Sequence, residues 1–487
     1  MRRGAHRGLD HIDITTRTWD VTLVLMAFDA TPHHPYDEVF TLDGALRYPY
    51  VELRRWLGTD PLRPAATTWQ RLRDRPLADD TRILPIPWAL DGAEYASVVA
   101  SGISQRARAL QMFFADLVLG SQRFLDGASL ARERLQVIMR SEGTSLAGLQ
   151  ALWRGHATEE IRFVYGPDLV RGPDGRWLLL EDNIGCVGGS ADGHVVWGRY
   201  LAAAGAPRRA LPPGEPDLRV ALCRWLDRLG LSSGNERVVG LLGCEGGGVL
   251  HSMLIHENAR RRLILQQAGI GVADPGQLRQ LLSANGAAGC GVRAILNFHS
   301  LSELIDEAFR RRIALFNAPG TGILGNKALL PHVGEMIRFF LGEEPVIATP
   351  PTHVCADGTL PLQPEDWVVK SVSGCQGTEV FMLRGQPPER LDAIRALVRE
   401  SWPDQPFVAQ QRVEPSRLSS SGPGSWEAHP VELRPVAYVV GWSQVHVSDR
   451  PVGKAVWGFD ARGQHNLSQG ACYVPVTVLT PSPAGTL

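Results

Sequence analysis

The sequence predicts a mixed α/β (α+β) chain, and three observations predict it. Residues 1 to about 155 place apolar side chains at helical spacing, the span from Arg237 to Ala318 alternates short apolar runs with helical ones, and two stretches, Tyr165–Asn183 and Trp367–Leu383, read as hairpins. A chain of 487 residues has room for roughly two to four domains. Its 44% apolar and 21% charged residues are those of a soluble globular protein. A formal net charge of -1 gives no reason to expect nucleic acid or an anionic membrane as partner. The apolar run Val21 to Phe28 is too short to span a bilayer, and the first residues lack a signal peptide's order of regions. Seven cysteines without CxxC spacing point to reduced thiols in a cytoplasm rather than to a disulfide framework or a zinc site.

Taken in order, the N-terminal part opens irregularly around Tyr36-Asp37-Glu38. Gly102 to Gly127 then reads as helix, with Ile103, Ala107, Leu110, Phe114 and Leu117 on a buried stripe and with Arg106 and Arg108 as surface charge in preference to phosphate or substrate contacts. In the hairpin YGPDLVRGPDGRWLLLEDN, Asp174-Gly175 predicts a two-residue type I′ turn. Pro173 then faces Arg176, and counting outward sets Asp168 across from Glu181, with Asn183 on the same face by the period of two. Two carboxylates and an amide oxygen, without thiolate or imidazole, make either a hard-cation site suited to Mg²⁺ or a solvated acidic face. Cys186 beside it has no visible base, which favours an incidental thiol over a nucleophile.

Beyond the punctuation at Leu211 to Pro216, the strand–helix alternation comprises Val238–Leu242, Val249–Ala268, Val292–Phe298, Leu301–Arg312 and Ile313–Phe316. Its glycine-rich turn, Gly243 to Gly248, is not GxGxxG, so a scaffold or substrate-binding role is favoured over a dinucleotide site. In WVVKSVSGCQGTEVFML, Lys370 ends a strand and Ser371 to Gly377 follow as a loop of small residues before a returning strand. Small residues admit phosphate oxygens to backbone N–H groups, and a strand lysine reaches the same phosphates; a bare hairpin is the plain alternative. Lysine preceding the glycines excludes a Walker A loop, and kinase signatures are absent. Phe407 to Val413 is a strand with two amides. Arg434, in ELRPVAYVVG, is either a contact for a transferring phosphoryl group or a surface ion pair.

Lysine usage separates these readings from background. Only Lys327, Lys370 and Lys454 occur among 50 basic residues, so arginine supplies nearly all generic positive charge. A lysine retained in such a chain stands where a compact ammonium matters, or survives by sampling.

These residues in this order resemble the circularly permuted ATP-grasp family, specifically its type 1-like carboxylate–amine ligases. YDEVF, GISQRARAL, DLVRGPDGRWLLLEDN, FNAPGTGILGNKALLPHV, IRFFLGEEPVIATPPTH, WVVKSVSG, FVAQQRV and ELRPVAYVV are similar to the family's landmarks, with the metal hairpin preceding the lysine loop as permutation requires. The resemblance implies a circularly permuted ATP-grasp fold with a helical N-terminal region (1–155), an ATP-grasp part carrying the hairpin (156–232), a small Rossmann-like βαβ domain (233–325), an ATP-binding lobe (326–475) and a tail (476–487). It implies that Asp168, Glu181 and Asn183 hold Mg²⁺. It also implies that Lys327, Lys370, Ser371, Ser373, Gly374 and Gly377 hold ATP, that Gln410 and Gln411 line the adenine pocket, and that Arg434 and Lys454 serve catalysis. The implied function is an ATP-dependent, ADP-forming ligase joining a small carboxylate, amino acid or peptide-like, to an amine through an acyl phosphate. A small-molecule kinase and a non-catalytic nucleotide-binding module remain open, as does homo-oligomerisation. The chain departs from the family pattern at Asn326, where Asp is common, at Gln411, where Glu is, and at Ile184, where an arginine is usual.

Overall fold

A computed structural model describes residues 35–73, 82–127, 130–185, 187–206, 217–231, 238–242, 249–283, 292–298, 302–356, 359–361, 363–372, 374, 379–422, 425–456 and 471–479. The predicted central helix is Ser101–Val118, followed after a break by Arg123–Gly127. All five stripe residues are buried, and so are Gln105, Arg106, Gln111 and Asp116. A helix buried on nearly every side must satisfy its polar groups internally. Gln111 donates to the carbonyls of Ile161 and Gly441, Gln105 donates to Glu343, and Asp116 accepts from the Phe124 amide. Arg106, expected at the surface, is only 2% exposed and forms an ion pair within the core.

Two antiparallel sheets carry the rest of the site. The first runs Cys472–Val474, Val452–Ala455, Ser425–Arg434, Asp168–Arg171, Trp177–Glu181, with Arg417–Gly422 also paired to Ser425–Arg434. It therefore joins segments more than 240 residues apart in sequence, as the pair Leu169↔Leu433 shows. The second runs Val380–Met382, Trp367–Ser371, Phe407–Gln411, Thr352–Val354. Phe163–Tyr165 pairs with Ala437–Gly441 in a third, smaller sheet.

The strand–helix alternation forms a parallel sheet in the order Gly271–Ala273, Val238–Leu242, Ala294–Phe298, Ala314–Phe316. Helices Val249–Gln267 and Ser302–Arg310 lie where helical spacing put them, and the strand Gly271–Ala273 was not anticipated. The glycine turn at 243–248 lies outside the described residues. Residues 476–479, expected within a tail, are a strand paired in parallel with Trp88–Asp91.

The hairpin turn differs from expectation. Gly172, not Pro173, faces Arg176, and only Gly175 takes a positive φ, of 79°. Asp174 stays out of the left-handed region that a type I′ turn demands of both central residues. The body of the hairpin consequently pairs Leu169 with Leu179 and Arg171 with Trp177, one residue off the counted register. A bulge between Asp168 and Leu169 restores the pair Asp168↔Glu181 at the far end.

Candidate functional site

At that far end the chain collects its rare lysines. Lys327 opens a short 3₁₀ turn capped by Asn326, whose side-chain oxygen accepts from the Ala328 amide. Its Nζ lies 3.0 Å from Glu181 Oε1 and donates to the Gly374 carbonyl at 2.6 Å. Lys370, on the second sheet, donates to Gln410 Oε1 at 2.7 Å. Gln410 in turn donates to the Leu180 carbonyl at 3.2 Å, tying the second sheet to the hairpin. Lys454 lies opposite Glu432 in the first sheet and donates to it and, at 3.1 Å, to Asp168 Oδ1.

Arg434 follows Glu432 by two residues, so the pleat turns both to one face. Its guanidinium grips Asp168 in a fork, 2.7 Å from Nε to Oδ1 and 2.6 Å from Nη2 to Oδ2, and donates to the Gly188 carbonyl at 3.2 Å. Asn183 donates to Gly166 O at 3.1 Å and to Asp168 Oδ2 at 3.2 Å.

The electrostatics follow from burial of these charges together. Asp168 is buried, which alone would raise its carboxyl, yet Arg434 and Lys454 hold it well below the usual carboxylate range. Glu432 is pushed upward by burial and by the neighbouring Asp168 charge. Burial lowers Lys370, with Glu181 opposing that shift and Lys327 adding to it. Of these shifts, the lowering of Lys370 is the one that an arriving anion would reverse, whereas ionised Asp168 already balances Arg434 and Lys454.

Of the residues singled out from sequence, Asp168, Glu181, Asn183, Lys327, Lys370, Gly374, Gln410, Arg434 and Lys454 come together here, with Ser371 buried beside Lys370. Gln411 does not join them: its side chain is exposed, and the strand alternation turns it away from buried Gln410. Ser373, Gly377 and Cys186 lie outside the described residues. Asn326 donates to Glu142 Oε1 at 2.7 Å and Ser141 Oγ at 3.2 Å. Ile184 pairs with Tyr165 as an isolated bridge.

Sequence reasoning missed Glu432, whose signal was its two-residue spacing from Arg434. It also missed Arg106, which lies three residues after Ile103 and four before Leu110, on the buried stripe itself. Among the described residues, no group of three or more His, Cys, Asp or Glu side chains is placed to hold a metal ion. No described helix is long and apolar enough to cross a membrane.

The acidic hairpin precedes the lysine loop in sequence and meets it in space, the arrangement that the resemblance to circularly permuted ATP-grasp proteins leads one to expect. Residues 297–449 match the family described as Circularly permuted ATP-grasp type 2, in line with the permuted ATP-grasp resemblance of the sequence, which was to type 1-like members. The chain is 29% identical over 428 residues to a "Putative glutamate--cysteine ligase 2-3" of Frankia alni, covering 77% of this chain and 46% of that protein. It is 26% identical to a "Putative glutamate--cysteine ligase 2-2" of Frankia casuarinae, covering 83% of this chain and 49% of that one. It thus spans about half the length of these two curated relatives. Among solved structures, a glutathione synthetase-like effector from Globodera pallida, in apo form, superposes with a TM-score of 0.52 at 13% identity, covering 89% of this chain and 98% of that one. That likeness is one of fold.

Proposed function

We propose that the chain is an ATP-dependent carboxylate–amine ligase that forms an amide or peptide bond through an acyl phosphate. The observation that carries this is the convergence of all three lysines of the sequence, with Arg434, on the Asp168–Glu181–Asn183 end of the hairpin. The names of the two Frankia relatives support a ligase acting on amino-acid-like substrates. The shared first sheet supports treating 156–232 and 326–475 as one nucleotide-binding unit interrupted by 233–325.

The donor chemistry fits a hard divalent cation. Glu181 and Asn183 would offer oxygens, and Asp168, here paired with Arg434 and Lys454, would be the third donor. Mg²⁺ held there would supply neutralisation of phosphate-oxygen charge. Lys327, Lys370 and the backbone at Gly374 hold the ATP phosphates, and Arg434 and Lys454 meet the transferring phosphoryl group. A substrate carboxylate oxygen attacks the γ-phosphorus, ADP leaves, and an acyl phosphate remains. The amine then attacks the acyl carbon, and phosphate leaves as the amine loses a proton.

Screening pairs of amino acids and peptides for ADP release, with mass spectrometry of products, tests the reading. With carboxylate and ATP but no amine, hydroxylamine should yield a hydroxamate, and oxygen-18 in the carboxylate should appear in released phosphate. Label in AMP, or no transfer during confirmed amide formation, would remove the acyl phosphate. A stable phosphorylated product would instead identify a kinase, and nucleotide binding with no ADP a non-catalytic module.

A further inference from the structure

Between the two candidate metal ligands Glu181 and Asn183 stands Asp182, and its carboxylate points the other way, into the core. Asp182 is 3% exposed and accepts from Arg106 twice, at 2.8 Å from Nε and 2.7 Å from Nη2. Tyr165, itself buried, donates its hydroxyl to Asp182 Oδ1 at 2.6 Å. Arg106 completes its bonding through Nη1 to Thr349 Oγ1 at 3.1 Å. A planar guanidinium bound in a fork fixes both position and angle of the carboxylate, which an ammonium cannot do. The backbone at this point is held as well. Asn183 O accepts from Gly166 N at 2.9 Å, and Gly325 stands so close that an added Cβ would lie 3.2 Å from the Asp182 carbonyl oxygen.

The central helix therefore reaches the strand end that presents Glu181 and Asn183 through the Arg106 side chain. We infer that Arg106 is a positioning residue that sets the metal-ligand geometry of Glu181 and Asn183 by clamping the intervening Asp182. This rests on the ligase reading above insofar as Glu181 and Asn183 are taken as metal ligands. Partners one step removed from a metal tune its affinity, and their loss typically costs about 10- to 100-fold.

The test is Mn²⁺ binding to the full-length chain with a non-hydrolysable ATP analogue, followed by electron paramagnetic resonance and independent of turnover. Arg106→Ala alone would leave the Asp182 carboxylate buried without a countercharge and destabilise the chain, so the variant of choice is Arg106→Gln with Asp182→Asn, which removes both charges together. Tyr165→Phe deletes one bond only. Glu181→Gln is the control for the metal reading itself. The expected result is a Mn²⁺ dissociation constant raised about tenfold in the folded double variant, raised less in Tyr165→Phe, and raised most in Glu181→Gln, with analogue affinity in the absence of metal unchanged by the double substitution. Arg106→Lys, which keeps the charge and loses the fork, should recover only part of the affinity. If Glu181→Gln weakens Mn²⁺ and the folded double variant does not, Arg106 is a core ion pair and nothing more. If Glu181→Gln leaves Mn²⁺ binding unchanged, the metal reading falls and this inference with it.

Discussion

Lys370 shows what one residue in this site is for. It is buried, its direct partner is the neutral oxygen of Gln410, and burial lowers it from the usual lysine range. An ammonium disfavoured by its surroundings gains most from an incoming phosphate. A hydrogen bond to a charged group contributes about 1.5–3 kcal/mol, or roughly ten- to a hundredfold in affinity. Lys370→Ala should therefore weaken ATP binding by about that factor in an equilibrium titration. Lys370→Arg should fail to restore it, since a planar guanidinium does not fit where a compact ammonium contacts Gln410. Arg390, exposed on the helix Pro388–Ser401, is the comparison: Arg390→Ala should leave affinity unchanged. Equal affinity in Lys370→Ala and wild type would place the nucleotide elsewhere.

At the scale of an element, the hairpin Asp168–Glu181 is held in place by its turn and by its flank. Gly175 has a φ of 79°, and an added Cβ would lie 2.8 Å from the Tyr36 ring. Tyr36 in turn lies under Arg47 and Arg171, and Arg171 is paired with Glu38 and Glu94. Gly175→Ala should cost about 1–3 kcal/mol through the left-handed backbone and the forced ring movement together, read as a lowered urea midpoint. Gly175→Ala with Tyr36→Ala should not show the ring clash, so a double variant no better in packing than expected from the two singles would locate the whole effect in the backbone.

How legible these elements were depended on how local their causes are. The strand pair and the Asp168↔Glu181 contact were readable because apolar runs flank a turn signal, whereas the turn type was not. Pro173-Asp174-Gly175 closes with one left-handed residue, the hairpin body shifts by one, and a bulge that nothing local signals restores the end. Arg106 was misplaced for a related reason. A lone arginine reads as surface charge even on a buried stripe, because the partner that makes burial tolerable, Asp182, lies 76 residues away and becomes adjacent only when the helix meets the hairpin. Scarcity was the more reliable guide: in a chain so rich in arginine, all three lysines lead to one place.

For the whole molecule, the candidate site is assembled from segments around 168–183, 327, 370–371, 374, 410, 432–434 and 454, and the sheet that gathers most of them must be held closed against its own length. The strand Val476–Leu479 contributes to this by pairing with Trp88–Asp91 next to the central helix's approach. Trp88 is fully buried, stacks on Trp177 at 6.1 Å, and its amide donates to the Pro475 carbonyl at 2.8 Å. Trp177 belongs to the hairpin strand that ends at Glu181, so the last strand supports the site's own sheet through two tryptophans. Removing residues 476–487 takes away buried Val476 and an entire strand pairing, a loss on the order of 3 kcal/mol from one aliphatic side chain and its accompanying backbone bonds. The truncated chain should unfold at lower urea and bind nucleotide more weakly at a temperature where the full chain is unaffected. Near-UV circular dichroism should report the change in the Trp88–Trp177 pair before the bulk transition. A truncated chain with the same urea midpoint and the same aromatic signal would show that 476–479 merely lies against the body, as a tail would.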